Sequence, residues 1–122
     1  MVKCPCNPNK RYAECCYKAH QNIHSAKTAE ALMRSRYSAF VLANIDYLQK
    51  SHHSSTRPSN KEKKEILHWT KSVDWLKLEV LNSTENTVEF KAYFIENGEI
   101  EIIYEKSYFT KESSHWAYLK AL

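Results

Sequence analysis

The spacing of hydrophobic residues changes period once along the chain. From Thr28 to Ala43 they fall at helical intervals: Leu32, Met33, Tyr37, Phe40 and Val41, with Asn44 continuing the line. This predicts a helix over 28–43 with one buried stripe, Thr28 as its N-cap and Ala29, Glu30 and Ala31 as a favourable first turn. Asn44 is expected to end it. A short second helix over 46–51 buries Tyr47 and Leu48. His52 to Pro58 reads as loop, because the proline disfavours helical backbone at Arg57. Ser59 and Glu62 have the spacing of a capping box, opening a third helix that carries Ile66, Leu67 and Trp69.

From Trp75 onward the pattern alternates. A strand over 75–81 is predicted to place Leu76, Leu78 and Val80 on one face and Trp75, Lys77 and Glu79 on the other. A turn spans 82–86. Strands over 87–96 and 99–109 are joined by Asn97-Gly98, a strong two-residue hairpin signal. A strand over 115–119 closes the sheet. Three helices followed by a four-stranded meander predict an α+β fold, with a curved antiparallel sheet wrapped around the helices.

The hairpin also fixes a register. Counting outward from its turn pairs Phe94 with Glu101, Ala92 with Ile103 and Phe90 with Glu105. With Val88, Phe90 and Ala92 facing inward, Glu105 becomes a carboxylate on the inner wall of the sheet, whereas Glu101 lies nearer the turn and solvent. An inward carboxylate is costly unless paired or protonated. Arg36 and Arg34 on the first helix and His53 in the loop are its candidate partners. A buried Glu105–Arg36 ion pair with His53 capping its loop is the plain expectation. The more specific one is a pocket in which Glu105, His53, Tyr37 and Arg36 run acid–base chemistry. No nucleophile motif, phosphate loop or dinucleotide fingerprint accompanies these residues, so no catalytic residue is assigned.

The 122 residues suffice for one domain with a genuine core. No run approaches the roughly 20 apolar residues of a membrane span. The net charge of +4 conceals an asymmetry of +8 over residues 1–71 and −4 over residues 72–122. A basic front attracts acidic proteins or nucleic acid, although Lys61, Lys63, Lys64 and Lys71 read as the solvated face of the third helix. Acidic residues on the outer sheet face, Glu79 and Glu89, oppose a stacking platform for nucleic acid.

The most specific chemistry lies at the start of the chain. All four cysteines occur there, Cys4 and Cys6 as C-x-C and Cys15-Cys16 after eight intervening residues. Disulfides within either pair are disfavoured by geometry, since bridged Cα atoms stand about 4.4–6.8 Å apart. Cross-pairing of the two ends suits a secreted miniprotein, but no signal peptide is expected, since Met1-Val2-Lys3 runs straight into the motif, and cysteines elsewhere are lacking. The C-x-x-C loop of a redox pair is absent. Two close pairs of thiols match tetrahedral Zn2+, although soft sulfur ligands also accept iron. A closed four-cysteine site has no open position, so the zinc is expected to be structural. Lys3, Lys10, Arg11 and Lys18 stand ready to offset its negative charge, and Asn7 and Asn9 suit left-handed backbone in a tight metal loop. His20 and His24 are spare ligands.

The pattern C-P-C-x-x-x-K-x-Y-x-x-C-C resembles the SEC-C motif, known as the zinc-binding tail of the preprotein translocase motor. Family members usually carry Gly-Ser-Gly where this chain has Asn7-Pro8-Asn9, and their last ligand is often His where this chain has Cys16. The stretch from Thr28 to Phe40, TAEALMRSRYSAF, is similar to the signature of the YchJ family. Weaker similarity follows at Tyr47-Leu48, His53, Ser55 to Pro58, Leu78 to Val80, Val88 to Phe90, and Glu105, Ser107 and Phe109. The resemblance implies a bacterial cytoplasmic protein with a zinc knuckle and a cystatin-like or nuclear-transport-factor-like fold. It implies no particular activity. The expected organisation is a knuckle over 1–24 and a helix–sheet domain over 25–122, packed as one compact unit. The expected role is a protein-interaction module. A small enzyme or ligand binder around Glu105 and His53 is the alternative, and a nucleic-acid binder is supported less.

Overall fold

The computed structural model describes residues 2–122. In chain order, a small hairpin of β1 (Lys3–Cys4) and β2 (Asn7–Arg11) leads into α1 (Cys16–Gln21). Then follow α2 (Ala29–Val41), α3 (Ile45–Lys50) and α4 (Asn60–Ser72). Strands β3 (Asp74–Ser83), β4 (Thr87–Glu96), β5 (Glu99–Glu112) and β6 (His115–Ala121) form an antiparallel sheet in the order β3-β4-β5-β6. The architecture is α+β, with the helices against one face of the sheet. The sequence pattern did not predict α1.

Helix α2 occupies the centre. Thr28 caps it by accepting a hydrogen bond from the Ala31 amide at 3.0 Å. Its C-terminus differs from the expectation. Helical geometry stops at Val41, and Ala43 turns left-handed with φ of 54°. The Asn44 amide then donates to Ala39 O at 2.8 Å and the Ala43 amide to Phe40 O at 3.1 Å, the paired bonds of a Schellman ending. Asn44 is the cap of the next helix, accepting from the Tyr47 amide at 3.1 Å. The expected single stripe is also too narrow. Ala29, Leu32, Met33, Ser35, Arg36, Tyr37, Ser38 and Ala39 are all buried, because α1, α3 and the sheet enclose the helix from different sides.

The capping box of Ser59 and Glu62 forms as expected. Thr70 pins α4 to the end of α2 by donating to Phe40 O at 2.8 Å. The loop between α3 and α4 is tied to β6. His53 donates its amide to Tyr118 O at 2.7 Å, and the Tyr118 amide donates to Ser51 O at 2.8 Å. The His52 ring packs edge-on to Tyr118, 5.0 Å between centroids. Burial, together with the nearby Arg36 and Arg57 charges, pushes the His52 pKa down to about 4.

The hairpin turns through Asn97 and Gly98, both left-handed at φ of 54° and 80°, as a type I′ turn requires. The pairings Phe94–Glu101, Ala92–Ile103 and Phe90–Glu105 agree with the register counted from it. Strand β3 departs from the expected faces. Its ladder shifts between Trp75 and Lys77, leaving Leu76 as the bulged residue. Trp75 therefore shares the inner face with Leu78 and Val80, while Leu76 is 49% exposed. A second shift precedes Asn82. Such bulges bend a strand and strengthen its twist, which curves the sheet around α2.

Two positions test the backbone account. Ala43→Gly should stabilise the fold by about 1 kcal/mol, and Gly98→Ala, where added bulk meets open space, should cost about as much. Thermal denaturation should show opposite shifts of roughly 4 °C. His52 supplies a pH prediction. Its folded pKa is depressed, so its contribution is complete above pH 6.5 and is lost as pH falls toward about 4. In that window the stability of His52→Gln should fall less steeply than that of the native chain, by up to about 1.4 kcal/mol per pH unit. Urea titrations at stepped pH measure the difference.

Candidate metal centre

The β1–β2 hairpin brings Cys4 and Cys6 to one end, and the turn into α1 brings Cys15 and Cys16 to face them. All four Sγ atoms lie within 4.8 Å of one another. Cys4 and Cys6 are 3.7 Å apart and Cys6 and Cys15 3.6 Å. Four thiolates at about 2.3 Å from a central Zn2+ stand about 3.8 Å from each other, so these separations are tetrahedral edges. Cys4, Cys6 and Cys16 are buried and Cys15 is half-buried. Asn7 and Asn9 are not left-handed, contrary to expectation. They lie in β2, where the Asn7 side chain accepts from the Asn9 amide at 2.9 Å.

The electrostatics favour a cation among the sulfurs. Hydrogen bonds from Cys16 and Cys6 hold Cys4 as the preferred thiolate, its pKa well below the ordinary thiol value. Cys16 is raised by its contacts with Cys4 and Cys6 and by burial. At Cys6 the contact with Cys16 pulls downward, but Cys4, burial and the neighbouring thiolate charges prevail and push it up to about 12. A negative charge on Cys4 is accommodated, and further charges on Cys6 and Cys16 are opposed. A bound metal cation removes that opposition, and the donor set fits it.

A hydrogen-bonded clamp fixes the knuckle to α2. His20 Nε2 donates to Ser35 O at 2.8 Å, which leaves Nδ1 to accept from Tyr12 OH at 2.7 Å. Burial lowers the His20 pKa and so favours this neutral form. Tyr47 OH donates to Ser35 Oγ at 2.7 Å, and Ser35 Oγ donates to Leu32 O. Arg34, held by Glu30 at 2.9 Å, donates from Nη1 to Cys6 O at 3.2 Å. Ser38 Oγ lies 3.6 Å from the Cys4 sulfur. His20 is thus a clamp residue, and His24 packs against His115. Arg34, expected near Glu105, serves the knuckle. Its spacing from Glu30 was readable in the sequence, but its reach to Cys6 was not.

At the inner wall of the sheet the structure separates the expected partners. Glu105 accepts from Ser107 Oγ and, at 3.4 Å, from Tyr118 OH. Arg36 does not form an ion pair with it. The guanidinium donates from Nη1 to Leu48 O at 2.9 Å and Ser51 Oγ at 2.8 Å, and lies 4.9 Å from the Tyr118 ring centroid. His53 turns away toward its own loop, with Nε2 3.8 Å from Glu112 and Nδ1 accepting from the Ser55 amide. The imidazole beside Arg36, Tyr37 and Glu105 is that of His52. No periodicity marks a loop histidine as inward-facing. Its placement follows from the tertiary pairing of the loop with β6.

Residues 28–121 match the family described as "YchJ, middle NTF2-like domain". A UPF0225 protein of Vibrio parahaemolyticus is 43% identical over 95% of this chain and 72% of its own length. One from Shewanella sp. strain MR-4 is 40% identical over 96% of this chain and 78% of its own. Two solved structures are similar throughout. The crystal structure of a SEC-C motif containing protein from Psychrobacter arcticus superposes with a TM-score of 0.81 at 31% identity, covering 98% of this chain and 81% of that one. The solution structure of a SEC-C motif containing protein from Rhodopseudomonas palustris gives 0.85 at 30% identity, covering 99% and 98%. By sequence and by fold, the chain belongs to the YchJ (UPF0225) family.

Proposed function

We propose that this chain is a zinc-stabilised binding module that recognises a protein partner through the cysteine knuckle and its basic flank. The observation that carries the reading is the four-sulfur cluster with tetrahedral spacing. Four protein ligands leave no open position, so zinc there stabilises structure and performs no reaction. Outside the cluster, Lys3, Lys10 and Lys18 are exposed and form no ion pair among the described residues, and Tyr17 in the same N-terminal segment is 42% exposed. Exposed, unpaired cations suit an acidic protein surface better than an apolar one. The outer sheet face offers little to nucleic acid, because Tyr93 and Tyr104 donate their hydroxyls to Glu79 and Glu89. No helix among the described residues is long and apolar enough to cross a membrane.

Protein purified without added metal should contain one zinc per chain by elemental analysis, and Cys15→Ser should lower that content sharply. The thiols share one buried cluster with Leu32, Ala39, Val88 and Phe109. Chelation should therefore lower the melting temperature of the whole chain, by about 10 °C or more, since structural zinc contributes several kcal/mol. An iron chromophore or a metal-free, fully stable protein would overturn the zinc reading. Lys10→Glu with Lys18→Glu should retain the zinc yet lose cross-linked partners seen with the native chain. Partners that survive this double reversal would remove the basic flank from the interface.

A further inference from the structure

A second site lies on the opposite side of α2 from the knuckle. A cavity of about 270 Å³ opens between α2, α4 and the inner face of the sheet. Tyr37, Phe40, Trp69, Trp75, Phe90 and Ile103 supply apolar walls. Trp69 and Trp75 stand edge-to-face at 5.5 Å, and Trp69 is fixed by donating from Nε1 to Glu96 at 3.0 Å. The volume is near the lower end for small-molecule sites, and the lining, mostly apolar with a few convergent polar groups, is of the usual kind.

The polar groups specify more than an apolar filler. Arg36 is only 7% exposed, yet among the described residues Nη1 alone is bonded, to Leu48 O and Ser51 Oγ. Among the described residues no buried side-chain nitrogen or oxygen is both sealed and unpartnered, so the remaining guanidinium N–H groups are not sealed off, and Arg36 lines the cavity. Glu105 lines the same cavity, and its Oε1 makes no hydrogen bond among the described residues, both internal donors going to Oε2. Tyr118 links the two, its ring under the guanidinium and its hydroxyl on the carboxylate. The one histidine lining the cavity, His52, is held neutral by its surroundings.

A donor-rich cation and a carboxylate acceptor in one apolar cavity cancel in charge but not in hydrogen-bonding direction. A carboxylate ligand would face Glu105, and an amine would face Arg36. We propose that this cavity binds an uncharged, flat aromatic heterocycle with an amide-type edge, whose carbonyl accepts from Arg36 and whose adjacent N–H donates to Glu105. The aromatic walls take the ring faces and edges.

The bicyclic lactam 2-quinolinone and its anionic counterpart 2-naphthoate make the test, titrated by calorimetry into the full chain and located by NMR of the indole N–H groups. The lactam should bind at least about tenfold tighter than the acid and shift Trp69 and Trp75 but not Trp116, which lies outside the cavity. Glu105→Gln should weaken the lactam by about tenfold and strengthen 2-naphthoate, an inversion that a merely structural role for Glu105 would not produce. Tighter binding of the acid to the native chain, shifts confined to Trp116, or no binding of either probe to folded protein would each overturn the assignment. So would equal affinities of the native and Glu105→Gln chains for both probes. Zinc content is read separately, so failure here is distinguishable from failure of the knuckle reading.

Discussion

Enclosure of α2 over most of its circumference, all but the half-exposed line of Glu30 and Arg34, is the constraint from which the rest of the structure follows. A helix at the surface needs one apolar stripe, whereas an enclosed one must satisfy each polar group it carries. Ser35, Ser38 and Arg36 are polar residues on this buried helix, and each has a partner: Leu32 O and Tyr47 for Ser35, the Cys4 sulfur for Ser38, Leu48 O and Ser51 for Arg36. Small residues at Ala29, Ser35, Ser38 and Ala39 let neighbouring elements approach the helix backbone closely. Large ones at Leu32, Met33 and Tyr37 fill the space against other elements. The low amphipathicity of the segment is therefore a consequence of its central position.

The same helix presents different chemistry to its two sides. Toward the knuckle it offers Arg34, the Ser35 carbonyl and Ser38, which hold the peptide of Cys6, the imidazole of His20 and the thiol of Cys4. Toward the sheet it offers Met33, Arg36, Tyr37 and Phe40, which line the cavity. The thiol cluster is thus packed into the core and not appended to it, with Cys4, Cys6 and Cys16 in one buried cluster with Phe90 and Phe109. A metal bound there would support the packing of α2, on which the cavity is also built.

The sheet was the part most legible from the sequence. A hairpin turn with left-handed residues at Asn97 and Gly98 admits one register, and the register carries every residue of β4 and β5 to a definite face. The placement of Glu105 on the inner wall followed from that alone. Strand β3 departs from its pattern because a bulge at Leu76 leaves no mark in a period-two alternation. Alternation predicts faces only while the ladder stays unbroken, and the bulge moved Trp75 to the inside.

By itself the sequence determined the local features: the Thr28 and Ser59 caps, the Asn97-Gly98 turn, and a cysteine spacing that suits one metal ion. These depend on neighbours within a few residues, and short-range geometry decides them. Only the tertiary structure decided the partners of the ionisable groups. His20 and Arg34 were drawn to the knuckle, His52 replaced His53 at the cavity, and Tyr118 came between Arg36 and Glu105. Each of those contacts joins elements separated in the chain. Burying a charged or polar group is costly until a partner meets it, and which partner does so is fixed by how the elements pack.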